Sequence, residues 1–213
     1  MPLTLEEVIS SRGIKEILHF TTNRGLLGIL ATGAVKSRKR LPDEDHVEHL
    51  FIPNTETRKD LLWTDYVNLS ISVTNSRFLS WSRRQPREDD RLFWCILSFS
   101  SEILLHPGVL FVSTNNIYTG VKRGRKAEHL EALFAPRVHQ WGEYYVTRSN
   151  LHASCCPTCE QAEVLYPAEL SIAHLQRIYV LNGETQDEVH AMIGTVACKN
   201  YEVAIKASKF NQR

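Results

Sequence analysis

The sequence lacks the glycine loops that usually cradle phosphates. Neither G-x-G-x-x-G nor G-x-x-x-x-G-K-[ST] occurs in its 213 residues, which excludes the Rossmann dinucleotide fingerprint and the P-loop. No run approaches the roughly 20 apolar residues of a membrane-spanning helix. Glu6 and Glu7 near the start do not fit the basic-then-apolar layout of a secretory leader. Internal repeats, low-complexity tracts and Gly/Ser linkers are also missing, so residues 1–213 are expected to form a single domain. Cysteine is scarce and odd in number, at 5. Without a leader, that points to a reducing, cytoplasmic setting rather than a disulfide framework. Net charge is nearly absent, at +1, which excludes a wholesale polycation.

What is present is an ordinary globular composition, 43% hydrophobic and 23% charged, on a chain long enough to bury a core. The small net charge conceals clusters. Basic residues gather at Lys36, Arg38, Lys39 and Arg40, at Arg83, Arg84 and Arg87, and at Lys122, Arg123, Arg125 and Lys126. Folded together, such clusters line a polyanion groove; singly, each is a solvated loop.

Periodicity and punctuation outline the elements. Thr4 stands three residues before Glu7 in a capping-box pattern, and Gly13 closes the short helix it opens. "IKEILHF" alternates as a strand. The following "TTNRGLLGILATG" offers Thr22 or Asn23 as a cap, Leu26, Leu27 and Leu30 as one face, and Gly33 as a stop. Further strands are predicted at 66–73, 91–100, 108–113, "QAEVLYP", "LQRIYVLN" and "YEVAIK", with helices at 125–135 and over "TQDEVHAMIGTVA". The continuously apolar stretch Leu92–Leu97 reads as a buried central strand. The fold class is α+β with mixed strand pairing rather than regular βαβ alternation.

Four stretches carry candidate chemistry. Cys155, Cys156 and Cys159, with His152, supply a possible zinc-ligand set, but zinc sites usually join two separated ligand pairs, and Cys95 and Cys198 stand alone. A redox C-x-x-C pair should open a helix, whereas this one precedes a strand. His19 and Thr21, two apart on a strand, share one face; they either line a cleft or sit in the core. Glu163, between Ala162 and Val164, lies at a solvent edge or is buried for a purpose. Arg58 precedes the 66–73 strand, as a phosphate fork or a surface residue.

In their order along the chain, "HFTTNRGLLGILATG", an upstream Arg before "DYVNLSIS", a basic and helical middle, and "QAEVL" resemble the DarT family of DNA ADP-ribosyltransferases, toxins of bacterial toxin–antitoxin pairs. These landmarks span residues 19–165. The resemblance implies an ADP-ribosyltransferase fold whose split β-core clasps NAD as substrate, with no metal. It implies that His19 and Thr21 bind the nicotinamide and adjacent ribose, with Asn23 in the same shell. It assigns Arg58 to NAD and to acceptor positioning, and Glu163 to catalysis. Residues 147–160 would form the acceptor-recognition loop. Arg83, Arg84, Lys122, Arg123, Arg125 and Arg148 are candidates for the phosphates of single-stranded DNA, and Trp63, Trp81 and Trp141 for stacking on its bases. The text "YVNLSISVTNSRFLSWSRR" departs from the thymidine-modifying members and is more similar to the guanine-modifying branch. A monomer, and an antitoxin that removes the ADP-ribose, are further expectations. Two other readings remain: a non-catalytic nucleic-acid-binding module with a zinc-stabilised Cys-rich loop, and an ADP-ribosyltransferase acting on RNA or protein.

Overall fold

A computed structural model describes residues 3–41, 61–84, 91–196 and 199–210. Arg58, Arg87 and Cys198 lie outside the described residues. The first helix, α1 (Leu5–Arg12), is closed at both ends by its own sequence. Thr4 and Glu7 form the reciprocal capping box, and Gly13 takes the left-handed conformation, φ 67°, that ends it. Strand β1 (Glu16–Thr22) runs into α2 (Asn23–Thr32), whose N-cap is Thr22, its hydroxyl accepting from the Gly25 amide. Leu26, Ile29 and Leu30 form the buried face of α2; Leu27, expected there, is 42% exposed. The helical period puts 26, 29, 30 on one stripe and turns 27 about 100° away from 26.

The remaining elements are β2 (Ala34–Lys36), β3 (Tyr66–Ile71), α3 (Ser76–Arg84), β4 (Trp94–Ser100), β5 (Leu110–Val112), β6 (Arg123–Gly124), α4 (Ala127–Ala132), β7 (Arg137–His139), β8 (Tyr145–Thr147), β9 (Glu163–Pro167), β10 (Glu169–Ser171), β11 (Leu175–Val180), α5 (Gly183–Val196) and β12 (Glu202–Ile205), with short 3-10 turns between. Eight strands form one sheet in the order β12-β11-β4-β1-β3-β9-β5-β6, antiparallel at every step except β11–β12. Two small pairs, β10–β2 and β7–β8, stand outside it. The mixed α+β class read from the sequence is the observed one. Helix α4 is shorter than its predicted 125–135 span, and α3 and the β7–β8 hairpin come without a prediction.

The core is the apolar filling between this sheet and α1, α2, α4 and α5. Strand β4 is buried from Trp94 to Phe99, as its unbroken apolar run requires between β11 and β1. Among the described residues, no helix is long and apolar enough to cross a membrane.

Candidate active site

The sheet forks beside β1. This strand pairs with β4 along its whole length, from Glu16↔Ser100 to Thr22↔Trp94, but with β3 only at Ile17↔Ile71 and Leu18↔Ser70. Residues Tyr66–Leu69 of β3 pair instead with β9 on their other side. Where the β1–β3 ladder stops, a side chain bridges the gap: His19 Nδ1 lies 3.1 Å from the Asn68 carbonyl oxygen. A carbonyl only accepts, so Nδ1 carries the proton and Nε2 of the neutral ring is left as an acceptor. Burial pushes the His19 pKa below its usual value, opposed in part by the Asn68 carbonyl. The ring is therefore neutral at physiological pH.

The opposite wall carries Glu163, the first residue of β9, paired in register with Val112 of β5. Its carboxylate is held from two sides. The Asn116 backbone N–H donates to Oε2 at 2.9 Å, and the Asn68 side-chain amide approaches Oε1 at 3.4 Å. Asn68 thus bridges His19 and Glu163, its carbonyl facing one and its amide the other. Asn116 is itself clamped: Arg123 Nε donates to its Oδ1 and an Arg123 terminal nitrogen to its carbonyl, both at 2.6 Å. The Arg123 guanidinium also lies over the Trp63 ring, 5.4 Å from its centroid. The half-buried Glu163 is a positioned group, not a solvated edge residue.

Thr21 shares the His19 face. Its hydroxyl packs so closely over the first turn of α2 that a Cβ on Gly25 would lie 2.2 Å from Oγ1, so Gly25 is what lets the hydroxyl sit there. Asn23 goes elsewhere: it is buried, and its amide donates to the Arg91 carbonyl at the approach to β4.

The segment before Glu163 is tied down along its length. Arg148 donates to the carbonyls of Cys156 at 2.8 Å and Ala153 at 2.7 Å, closing the loop on itself. Thr158 bonds the Leu133 and Ala135 carbonyls, and Glu160 accepts from Ser76 Oγ at 2.7 Å and pairs with Arg77 at 3.3 Å. Tyr118 donates its hydroxyl to Gln161 Oε1 at 3.0 Å. The four zinc-ligand candidates do not converge. Cys159 is buried against Thr114 Oγ1 and Gln140, whereas His152 Nδ1 accepts from Ser149. Among the described residues, no group of three or more His, Cys, Asp or Glu could hold a metal ion. Burial raises the Cys156 thiol to about 11, a poor nucleophile at neutral pH.

The structure therefore joins His19 and Glu163 through Asn68, with Thr21 on the His19 strand face, and sorts the basic candidates by use. Lys122, Arg125 and Arg84 are exposed. Arg83 lies over the Phe210 ring at 6.0 Å. Arg123 and Arg148, read from the sequence as phosphate contacts, spend their guanidinium groups on Asn116 and on the loop carbonyls. Sequence reading missed Asn68 and Asn116. Asn68 had a signal, a polar residue between Val67 and Leu69 on an alternating strand; Asn116 acts through its backbone and had none.

A family model described as DarT, ssDNA thymidine ADP-ribosyltransferase, matches residues 18–211. The chain belongs to the DarT family. Among solved structures, Thermus sp. 2.9 DarT in complex with ADP-ribosylated ssDNA is similar at 17% identity and a TM-score of 0.68, over 93% of this chain and 97% of that one. The same Thermus DarT in complex with NAD+ is similar at 18% identity and a TM-score of 0.64, over 92% and 97%. Thermosipho africanus DarTG in complex with ADP-ribose matches at 14% identity and a TM-score of 0.58, over 92% of this chain and 51% of that one. No curated protein sequence matches the chain.

Proposed function

We propose that this protein transfers ADP-ribose from NAD to a base of single-stranded DNA, releasing nicotinamide, with guanine favoured over thymine as acceptor. The observation that carries the reading is the Glu163 carboxylate, fixed by Asn116 and Asn68 across the sheet fork from a neutral His19. The bond between the ribose carbon and the nicotinamide nitrogen breaks, and the sugar acquires oxocarbenium character. Glu163, as a fixed anion, stabilises that developing positive charge. A base nitrogen then bonds to the same carbon and its proton passes to the Glu163 carboxylate; nicotinamide leaves as the neutral amide. The residues fit the substrate. The His19 Nε2 lone pair suits a carboxamide N–H, the Thr21 hydroxyl suits a ribose hydroxyl, and Arg58 is assigned to NAD and to positioning the acceptor.

The Thermus relatives, solved with NAD+ and with ADP-ribosylated ssDNA, support the substrate pair. The lean to guanine rests on "YVNLSIS" at β3, against the thymidine of the family description. An ADP-ribosyl-removing antitoxin partner, action in the cytoplasm and a monomeric single domain complete the proposal. Incubation with NAD and oligonucleotides lacking guanine or lacking thymine tests it by mass spectrometry. Addition of one ADP-ribose only to guanine-containing strands is expected. Addition only to thymine-containing strands overturns the guanine assignment, and no addition to any strand overturns the activity.

A further inference from the structure

The hairpin β7–β8 adds something the surroundings of Glu163 do not explain. Its inward face is Val138, buried, opposite Val146. Its outward face carries Arg137, His139 and, opposite His139, Tyr145. The Arg137 guanidinium lies 3.9 Å from the centroid of the Tyr145 ring, a cation–π contact that holds both side chains in place. The turn between the strands presents Tyr144, 66% exposed, with its ring 5.5 Å from Trp141; Trp141 is in turn 5.3 Å from Tyr118. Tyr118 ends the series by bonding Gln161, two residues before Glu163. A run of ring faces thus leads from the solvent to the catalytic carboxylate. Lys122 and Arg137 line one shallow concavity beside the run, with Gly120 and His139, and Glu143 is the sole carboxylate within the hairpin.

We infer that the Tyr144–Trp141–Tyr118 run is the seat of the unpaired bases flanking the acceptor, with Arg137 and Lys122 taking the phosphates between them. The inference rests on the proposed single-strand ADP-ribosyltransferase activity. An exposed ring backed by two half-buried ones and bordered by cations suits a strand whose bases offer π-faces and whose backbone offers anions, and suits a duplex poorly because its faces are stacked away. The tilted rings already pack on one another, so little side-chain freedom is lost when a base arrives.

The test measures binding of an oligonucleotide of about a dozen nucleotides in a Glu163→Gln background, by fluorescence anisotropy at several salt concentrations. Tyr144→Ala should weaken binding roughly tenfold, and Tyr144→Phe should restore it, because stacking needs the ring and not the hydroxyl. Replacing the flanking nucleotides by abasic sites should cost the parent the same factor and the Tyr144→Ala protein nothing further. Arg137→Gln should weaken intact and abasic strands alike and lower the salt slope by about one. Parental binding by Tyr144→Ala, or equal binding of abasic and intact strands by the parent, overturns the inference. A wild-type protein that modifies DNA while Tyr144→Ala binds normally overturns the aromatic seat alone; a wild-type protein that modifies no DNA overturns the activity reading.

Discussion

At the scale of single residues, the proposed reaction depends on how one carboxylate is held. Glu163→Gln keeps the shape and the Asn116 contact but removes the negative charge, so kcat should fall about 10³-fold with NAD binding retained. Arg123 separates two roles that the sequence cannot. If its function is the clamp on Asn116, Arg123→Ala should lower kcat about tenfold or more, leave KM for NAD nearly unchanged, and leave the salt slope of DNA binding intact. Arg123→Lys should recover little, because an ammonium cannot fork across a side-chain oxygen and a carbonyl. A lost unit of salt slope with unchanged kcat would return Arg123 to the phosphate-contact role. His19 gives a pH prediction. Its pKa is lowered in the fold, so the neutral ring persists as pH falls through the ordinary histidine value near 6.5. The rate profile of wild type should show no histidine-like loss at that pH, and the loss should come at lower pH. Stability should fall from about pH 6.5 downward, since the unfolded chain takes up the proton first, and the loss should level off once the folded ring protonates.

At the scale of elements, the sequence is most legible where a local cause suffices. The capping box of α1, the Thr22–Gly33 bracket around α2 and the apolar run of β4 each follow from a few adjacent residues. The His19–Thr21 face is legible for the same reason. The fork is not, because it depends on β3 leaving β1 after Leu18↔Ser70 to pair with β9, a contact about a hundred residues away in sequence. Helix α3 escaped because "SRFLSWSRR" buries only Leu79 and Ser82. Its start rests on Asn75, whose side chain accepts from the Phe78 amide. Arg148 and Arg123 were assigned by charge, and only tertiary structure reveals that their donors point inward. Gly25 shows how an element transmits to the site. Alanine in a helix is ordinarily worth about 1 kcal/mol over glycine, but here its Cβ would collide with the Thr21 hydroxyl. The hydroxyl can rotate away, so Gly25→Ala should change stability by less than about 1 kcal/mol while raising KM for NAD several-fold. Thr21→Val should reproduce that KM. An unchanged KM in both variants would remove Thr21 from the NAD site.

At the scale of the molecule, the two flanks of the sheet are locked together by a charge far from the site. Glu16, at the start of β1, accepts from Ser98 of β4 and Tyr179 of β11, both at 2.9 Å, and pairs with Lys209, which follows β12. Lys209 also donates to the Ser72 carbonyl at 3.0 Å, at the end of β3. Three strands and the C-terminal segment therefore meet on one carboxylate, and Lys209 ties in the end of β3. Burial alone would raise the Glu16 pKa, but the Lys209 contact, with the Tyr179 and Ser98 hydroxyls, outweighs it and leaves the pKa below the usual 4.5. A carboxyl whose pKa is lower folded than unfolded contributes stability at pH above its unfolded value, and that contribution disappears as pH falls through the folded value. Wild-type stability, measured by urea denaturation, should therefore show, besides the loss from His19 that begins near pH 6.5, a further drop below pH 4.5. Glu16→Gln should remove part of that drop, at a cost of about 2 kcal/mol at neutral pH from the lost charged hydrogen bonds. Lys209→Met should be no milder at neutral pH, because it strands the partly buried carboxylate, and it should shrink the drop below pH 4.5, since burial then pushes the folded Glu16 pKa upward. A Glu16→Gln protein with the wild-type pH profile would show that other carboxylates govern the acid limb and that this junction is only a packing contact.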